Sequence, residues 1–318
     1  PLVRLIQASE LTGCNIYGKA EYYNPGESVK DRTALFIVQN ALKKKLISKG
    51  GTIVEGTAGN TGIGLAIVCK EYDIKLTIVI PRTQSIEKKE TLKNLGAELI
   101  EVDAVPYTNP NNYIKKSKKI AEDLNKKNTN GVYWANQFDN TVNSEAHIIT
   151  TADEIWNQTA GTIDGFTCAA GTGGTIAGVS IGLKNKNKNI KIALSDPMGS
   201  ALYSHIKNNK LESAGSSITE GIGIGRITKN FDRALIDEAF QTNDVEALNI
   251  VFDLIEKQKI ILGGSSGINI AGAIKLAKQM GPGKTIVTIL CDNGKRYASK
   301  IFNKEFLKSK NLPIPKWL

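Results

Sequence analysis

"TIVEGTAGNTGIGLAIV", residues 52–68, decides the architecture. It opens on a short β-branched apolar run, breaks at Gly56 and Gly59, and resumes with small and apolar residues at helical spacing. A short, continuous apolar run reads as a strand covered on both faces, and a helix directly behind it reads as half of a crossover between parallel strands. The same succession recurs at "FTCAAGTGGTIAGVSIG" (166–182) and "IILGGSSGINIAGAIKLA" (260–277). A helical glycine costs about 1 kcal/mol against alanine. Glycine repeated at these helix starts therefore implies a ligand that must approach the backbone closely.

Outward from these stretches the alternation continues. "KLTIVIP" (75–81), "AELIEV" (97–102), "GVYWA" (131–135), "IKIALSD" (190–196) and "TIVTILC" (285–291) read as strands. "SIEKKETLKNLG" (85–96), "NYIKKSKKIAEDLNKK" (112–127), "SEAHIITTADEIWNQ" (144–158) and "EALNIVFDLIEKQ" (246–258) read as helices. The expected fold class is α/β, with largely parallel sheets and, at 318 residues, about two domains. No low-complexity linker separates two halves, so the domains are expected to share a close interface.

Composition removes several function classes. The formal charge of +10 comes from lysines scattered through "ALKKKL", "NYIKKSKKIAEDLNKK" and "GLKNKNKNIKI", as on solvated faces, which argues against nucleic acid as a partner. Apolar runs fall well short of the ~20 residues a bilayer requires, so no membrane is expected. Nothing at the start resembles a signal peptide, and the widely spaced Cys14, Cys69, Cys168 and Cys291 suggest buried thiols in the cytoplasm, with neither disulfides nor a metal site. "GPGKT" (281–285) lacks the first glycine of a nucleotide P-loop and leads into a strand instead of out of one. His147 and His205 are isolated from one another, "GGSSG" has the wrong spacing for a nucleophile elbow, and no dinucleotide fingerprint is present. The chemistry must then come from a borrowed group.

Two features say which. In "AAGTGGT" (169–175), Gly171, Gly173 and Gly174 let backbone N–H groups converge, Thr172 and Thr175 add hydroxyls, and the helix behind supplies its positive end: an anion cradle that needs no cationic side chain. In "NPGESVKDR" (24–32), turn residues and a capping Ser28 put Lys30 in the first turn of a helix, where its ammonium is penalised. A lowered pKa leaves free amine to attack an aldehyde. An aldehyde-bearing phosphate ester with a ring nitrogen, pyridoxal 5′-phosphate, suits both features.

With these residues assembled, the chain resembles the cysteine synthase and cystathionine β-synthase family of fold type II pyridoxal phosphate enzymes, from Pro1 to about residue 306. The resemblance implies a tryptophan synthase β-like fold of two three-layer αβα domains: a smaller mobile one at about residues 24–140, and a larger cofactor-binding one from residues 1–23 plus 141–318. It makes Lys30 the Schiff-base and catalytic residue and gives Asn60 of "TAGNTG" (57–62) a contact to the cofactor's ring oxygen. "GTGGT" becomes the phosphate cradle, and Ser265 of "GGSSG" (263–267) faces the pyridine nitrogen. Thr57, Ala58, Gly59, Asn60, Thr61 and Gln137 would hold the substrate carboxylate, with Gly223 of "EGIGIGRI" (220–227) at the mouth. Ala58 stands where many relatives carry serine, which removes one hydroxyl contact.

A hydroxyl such as that of Ser265 does not stabilise a protonated pyridinium, so the ring is a weaker electron sink and loss of a β-substituent is favoured over transamination. The resemblance thus implies β-replacement through an aminoacrylate: O-acetyl-L-serine and sulfide giving L-cysteine and acetate. Ile224 stands where homocysteine-accepting relatives carry tyrosine, favouring a small nucleophile. Arg226 leaves O-phosphoserine open as donor, and cystathionine formation or cysteine desulfhydration on the same scaffold are further alternatives. The family also implies a homodimer and serine acetyltransferase as a partner; a non-catalytic binding role for that partner is the alternative of another class. A short segment ahead of "PLVRL" is implied as well.

Overall fold

The computed structural model describes residues 1–126 and 128–318. Lys127, at the end of the helix expected over 112–127, lies outside the described residues; the helix itself runs Tyr113–Asn125. Among the described residues, ten strands form two sheets: β1 (Leu2–Arg4), β2 (Asn15–Ala20), β3 (Thr52–Gly56), β4 (Lys75–Pro81), β5 (Glu98–Val102), β6 (Val132–Trp134), β7 (Gly165–Cys168), β8 (Lys191–Pro197), β9 (Glu238–Thr242) and β10 (Thr285–Leu290). A four-stranded sheet has the order β5-β4-β3-β6, and a six-stranded sheet the order β1-β2-β10-β7-β8-β9. Every pairing is parallel except β1 with β2. The first sheet is drawn from residues 52–134, and the second from both ends of the chain.

The continuous apolar runs are buried on both faces, as their composition requires. In β10, Val287 and Ile289 point into one core with Phe166, Ile176 and Leu183, while Ile286 and Leu290 point into another with Ile270 and Leu276. That is the two-residue alternation of a strand sandwiched between helix layers. The smaller sheet has its own core of Ile53, Ile78, Ile80, Leu65 and Leu92.

Three findings depart from the sequence reading. β1, β2 and β9 were not expected. Residues 260–262 do not form a strand; only Leu262 makes an isolated bridge, to Asn293, before the Gly264–Met280 helix begins. The helix expected over 144–158 is three consecutive pieces: Val142–Ala146, a wide π-helical turn at His147–Ala152, and Asp153–Gln158. The Gly174–Lys186 helix presses onto that turn so closely that a Cβ at Gly178 would sit 2.3 Å from the Ser144 carbonyl oxygen and 2.5 Å from His147 Cβ.

Candidate active site

In open parallel sheets ligands gather beyond the carboxyl ends of the strands, and here those ends open onto one cleft of about 630 Å³ between the two sheets. β3 ends at Gly56 and turns through residues 57–59 into the Asn60–Glu71 helix. β7 ends at Cys168 and turns through residues 169–173 into the Gly174–Lys186 helix. Together with the Lys30–Lys43 and Gly264–Met280 helices, four helix starts face the cleft or its inner recess. First-turn N–H groups have no partner within their own helix, so this arrangement offers many donors and a positive potential.

Lys30 opens its helix. Val29 occupies the N-cap position in helical conformation and contributes no side-chain cap, so Ser28 acts from one residue further out, its Oγ accepting from the Lys30 N–H at 3.3 Å. Burial pushes the Lys30 amine below the ordinary lysine range; Cys291, Asp292 and Cys168 oppose that shift and Lys88 adds to it. The amine borders both the cleft and its recess.

One wall is the 57–61 loop. Thr57, Ala58, Asn60 and Thr61 line the cleft, and Gly59 makes the turn behind them at φ +127°, where a Cβ would meet Lys88 Cδ at 2.6 Å. Thr61 Oγ1 donates to Gln137 Oε1 at 2.6 Å, which joins Gln137 to the loop. The Asn60 side chain is held at both ends: Nδ2 donates to Asp292 Oδ2 at 2.6 Å and Oδ1 accepts from Arg296 at 2.8 Å. Beneath the loop, Glu55 is buried with Oε2 unpartnered, and burial pushes its carboxyl up to about 8.

The opposite wall is the 171–175 loop. Gly171, Thr172, Gly173 and Thr175 border the recess beside Lys30. Gly173, at φ +84°, makes the left-handed turn that aims the chain into the helix, whose first turn carries no acidic residue. Glycine is required on both sides of that turn: a Cβ at Gly171 would lie 2.1 Å from the Gly221 carbonyl oxygen, and one at Gly174 would lie 2.0 Å from Asn143 Oδ1. Asn143 Nδ2 in turn donates to Thr172 Oγ1 at 2.9 Å. Gly223, at φ +76°, donates its N–H to the Ala170 carbonyl at 2.9 Å and lines the cleft. Ser265 and Cys291 close the far side.

The sequence residues singled out therefore converge, but several cleft residues were missed. Lys88 and Lys300 flank Glu220 at the mouth, Tyr113 lines the cleft, and Phe306 and Lys310 of the C-terminal region reach the entrance. No local pattern marked them; "SIEKKE" reads as an ordinary solvated helix. Arg226 has a settled place: both terminal nitrogens lie 3.2 Å from the carboxylate of Asp139, and its guanidinium carbon sits 4.5 Å from the Tyr107 ring centre. The four cysteines are free thiols. Among the described residues, no helix is long and apolar enough to cross a membrane.

Comparison with known proteins agrees with this geometry. Residues 1–292 match the family model described as pyridoxal-phosphate dependent enzyme. The chain is 48% identical to cysteine synthase 1 of Emericella nidulans, over 100% of this chain and 86% of that protein. Among solved structures, an O-acetylserine dependent cystathionine beta-synthase from Helicobacter pylori superposes with a TM-score of 0.85 at 32% identity, covering 94% of each chain. A hydrogen sulfide-producing enzyme from Fusobacterium nucleatum gives a TM-score of 0.83 at 35% identity, covering 93% of this chain and 96% of that one.

Proposed function

This chain belongs to the family of pyridoxal-phosphate dependent enzymes, and on that footing we propose that it is a cysteine synthase, replacing the acetyl ester of O-acetyl-L-serine with sulfide to give L-cysteine and acetate. The observation that carries the reading is the convergence on Lys30 of a donor-rich anion cradle on one side and a second helix-start loop on the other. The similarity to a cysteine synthase over the whole chain supports the same choice.

The donor set fits the cofactor. A glycine turn with no acid at its helix start suits a phosphate, a neutral hydroxyl at Ser265 suits an unprotonated pyridine nitrogen, and an amine kept partly neutral by burial suits an aldehyde. Asp292, next to Cys291 in that wall, is engaged through Oδ2 by Asn60 and by Tyr297, each at 2.6 Å, while its Oδ1 is buried without a partner. Bound there, pyridoxal phosphate supplies an aldehyde that captures amines and a ring that draws electron density from the substrate Cα.

The chain's own residues supply the rest. Residues 171–175 bind the phosphate through backbone donors and the hydroxyls of Thr172 and Thr175. The N–H groups of the 57–61 loop, with Gln137, bind the substrate carboxylate and so present the Cα proton to Lys30. Lys30 Nζ takes that proton and returns it when the new side chain is complete. Ile224, packed against the larger core at the mouth, leaves room for a small nucleophile. We read the part built on the smaller sheet, residues 24–140, as the mobile domain, working against residues 1–23 plus 141–318.

Because Arg226 is committed to Asp139 and Tyr107, we take the uncharged acetyl donor over O-phosphoserine. Exposed Leu35, lining a surface recess with Phe36, Ile67 and Val68, supports a homodimer, and free thiols support a cytoplasmic setting. Docking of serine acetyltransferase in the cleft rests on family resemblance alone. The deciding experiment gives the purified enzyme acetylserine or phosphoserine with sulfide, water or homocysteine in turn and identifies the products. Cysteine from acetylserine and sulfide is expected to dominate; cystathionine or pyruvate as the main product would overturn the assignment.

A further inference from the structure

His147 belongs to none of the motifs above, yet it is fully buried directly behind the cradle. Its Nδ1 lies 2.8 Å from Thr151 Oγ1, one turn further along the π-helical stretch, and its Nε2 lies 3.3 Å from Thr175 Oγ1. Thr175 is the last residue of the cradle and borders the recess that Lys30 also borders. The imidazole thus joins two hydroxyls, one deep in the protein and one facing the anion site. π-helical insertions of this kind concentrate at functional sites. This one is held against the cradle helix by Gly178, where no side chain would fit.

A neutral imidazole in this position has two tautomers, and they act oppositely on Thr175. With the proton on Nδ1, Nε2 accepts the Thr175 hydroxyl hydrogen, and Thr175 shows only lone pairs to the recess, which repels an anion. With the proton on Nε2, Thr175 accepts from behind and its own hydrogen is free for the phosphate. The second arrangement requires the Thr151 hydroxyl to donate to Nδ1.

We propose that His147 is a positioning residue for the cofactor phosphate: Thr151 fixes its Nε2–H tautomer, and that proton turns the Thr175 hydroxyl toward the cradle. The inference rests on the assignment of residues 171–175 to the phosphate. The charged neighbours agree with a neutral ring: burial, then Arg32 and Lys30, disfavour protonation, and only Glu154 favours it. The Thr151 link gives a second reason for threonine here, beyond packing.

The test exploits the presence of just two histidines in the chain. In 15N-histidine-labelled protein loaded with pyridoxal 5′-phosphate, His205→Gln assigns the spectrum. His147 is expected to show a protonated Nε2 and a bare Nδ1, unchanged between about pH 6 and 9. Thr151→Val, which keeps the shape, is expected to shift the ring away from that tautomer and weaken pyridoxal phosphate binding by about tenfold, whereas Thr151→Ser stays within about threefold of the parent. Binding of pyridoxal, which lacks the phosphate, should not change in either variant. An Nδ1–H or doubly protonated His147 would overturn the proposal, as would a Thr151→Val variant that loses pyridoxal and pyridoxal phosphate equally. Failure of the underlying assignment looks different: the unaltered protein would then bind pyridoxal as tightly as its phosphate.

Discussion

Lys88 Nζ lies 2.7 Å from Glu220 at the mouth of the cleft, with side-chain exposures of 2% and 5%, so the pair is almost wholly removed from water. The same ammonium receives support from Tyr297, whose hydroxyl is 3.0 Å away and whose ring centre is 4.3 Å away. Tyr297 continues to Asp292, and Asp292 to Asn60 at the start of the substrate loop. Glu220 also pairs with Lys300. Breaking a buried pair outright costs about 3–5 kcal/mol, and Lys300, which stays with Glu220 when Lys88 is removed, holds the loss to the lower end of that range. Lys88→Met is therefore expected to lose about 3 kcal/mol in urea unfolding and to raise the KM for the amino-acid substrate more than it lowers kcat. Lys88→Met combined with Glu220→Gln should regain most of the stability. A single variant indistinguishable from the parent would mean that the pair is energetically idle.

Lys30 is the residue on which the proposed chemistry turns. Lys30→Ala is expected to reduce turnover by at least about a thousandfold, since both the anchoring amine and the base are lost. Borohydride reduction followed by peptide mapping should place the cofactor tag on the peptide containing residues 24–32 in the parent, with no tag there in the variant. A tag on another lysine of the parent would refute the role.

Glu55 gives a pH prediction with a definite sign. Burial raises its carboxyl to about 8, so between the ordinary value near 4.5 and about 8 the folded state holds a proton that the unfolded chain has released. Stability falls with rising pH wherever the folded state binds more protons. Glu55 should therefore erode stability progressively from about pH 4.5 to 8, by a few kcal/mol in total. Denaturant midpoints of Glu55→Gln should match the parent near pH 5 and exceed it near pH 9. Parallel curves over that range would show that Glu55 does not titrate in this window.

The cradle itself is sensitive to one methyl group. At Gly173 the chain is left-handed, and a Cβ would meet Phe231 Cα at 2.5 Å. Gly173→Ala adds backbone strain to a main-chain collision and is expected to cost about 2–4 kcal/mol. Fluorescence titration with pyridoxal phosphate should show affinity reduced by more than about tenfold. Retained affinity and stability would imply that the loop relaxes freely, contrary to its packing.

The elements legible in the sequence are those whose signal is local. β4 coincides with the expected run at both ends, because seven apolar-rich residues are bounded by a turn on each side. The glycine loops were visible because close backbone approach leaves a compositional mark. β2 escaped because it contains Gly18 and Lys19; Lys19 is buried in a strand through its partners Glu154, 2.5 Å away, and Gln158, 3.1 Å away, both more than a hundred residues along the chain. Lys88 and Glu220 escaped for the same reason, their meaning lying in a partnership between distant segments. His147 reads as isolated in the sequence because the other histidine, His205, lies far along the chain. The threonine four residues on in "HIITT" was the signal available, and the structure pairs the two.

Four helix starts around one cleft also have a consequence for the medium in which the enzyme works. Their combined field does not discriminate among small anions, so chloride, sulfate and phosphate from the surroundings compete for the same donors as a carboxylate or a hydrosulfide ion. Salt composition is thus expected to be a chemical variable of the site, with small anions competing mildly and reversibly at the cleft itself.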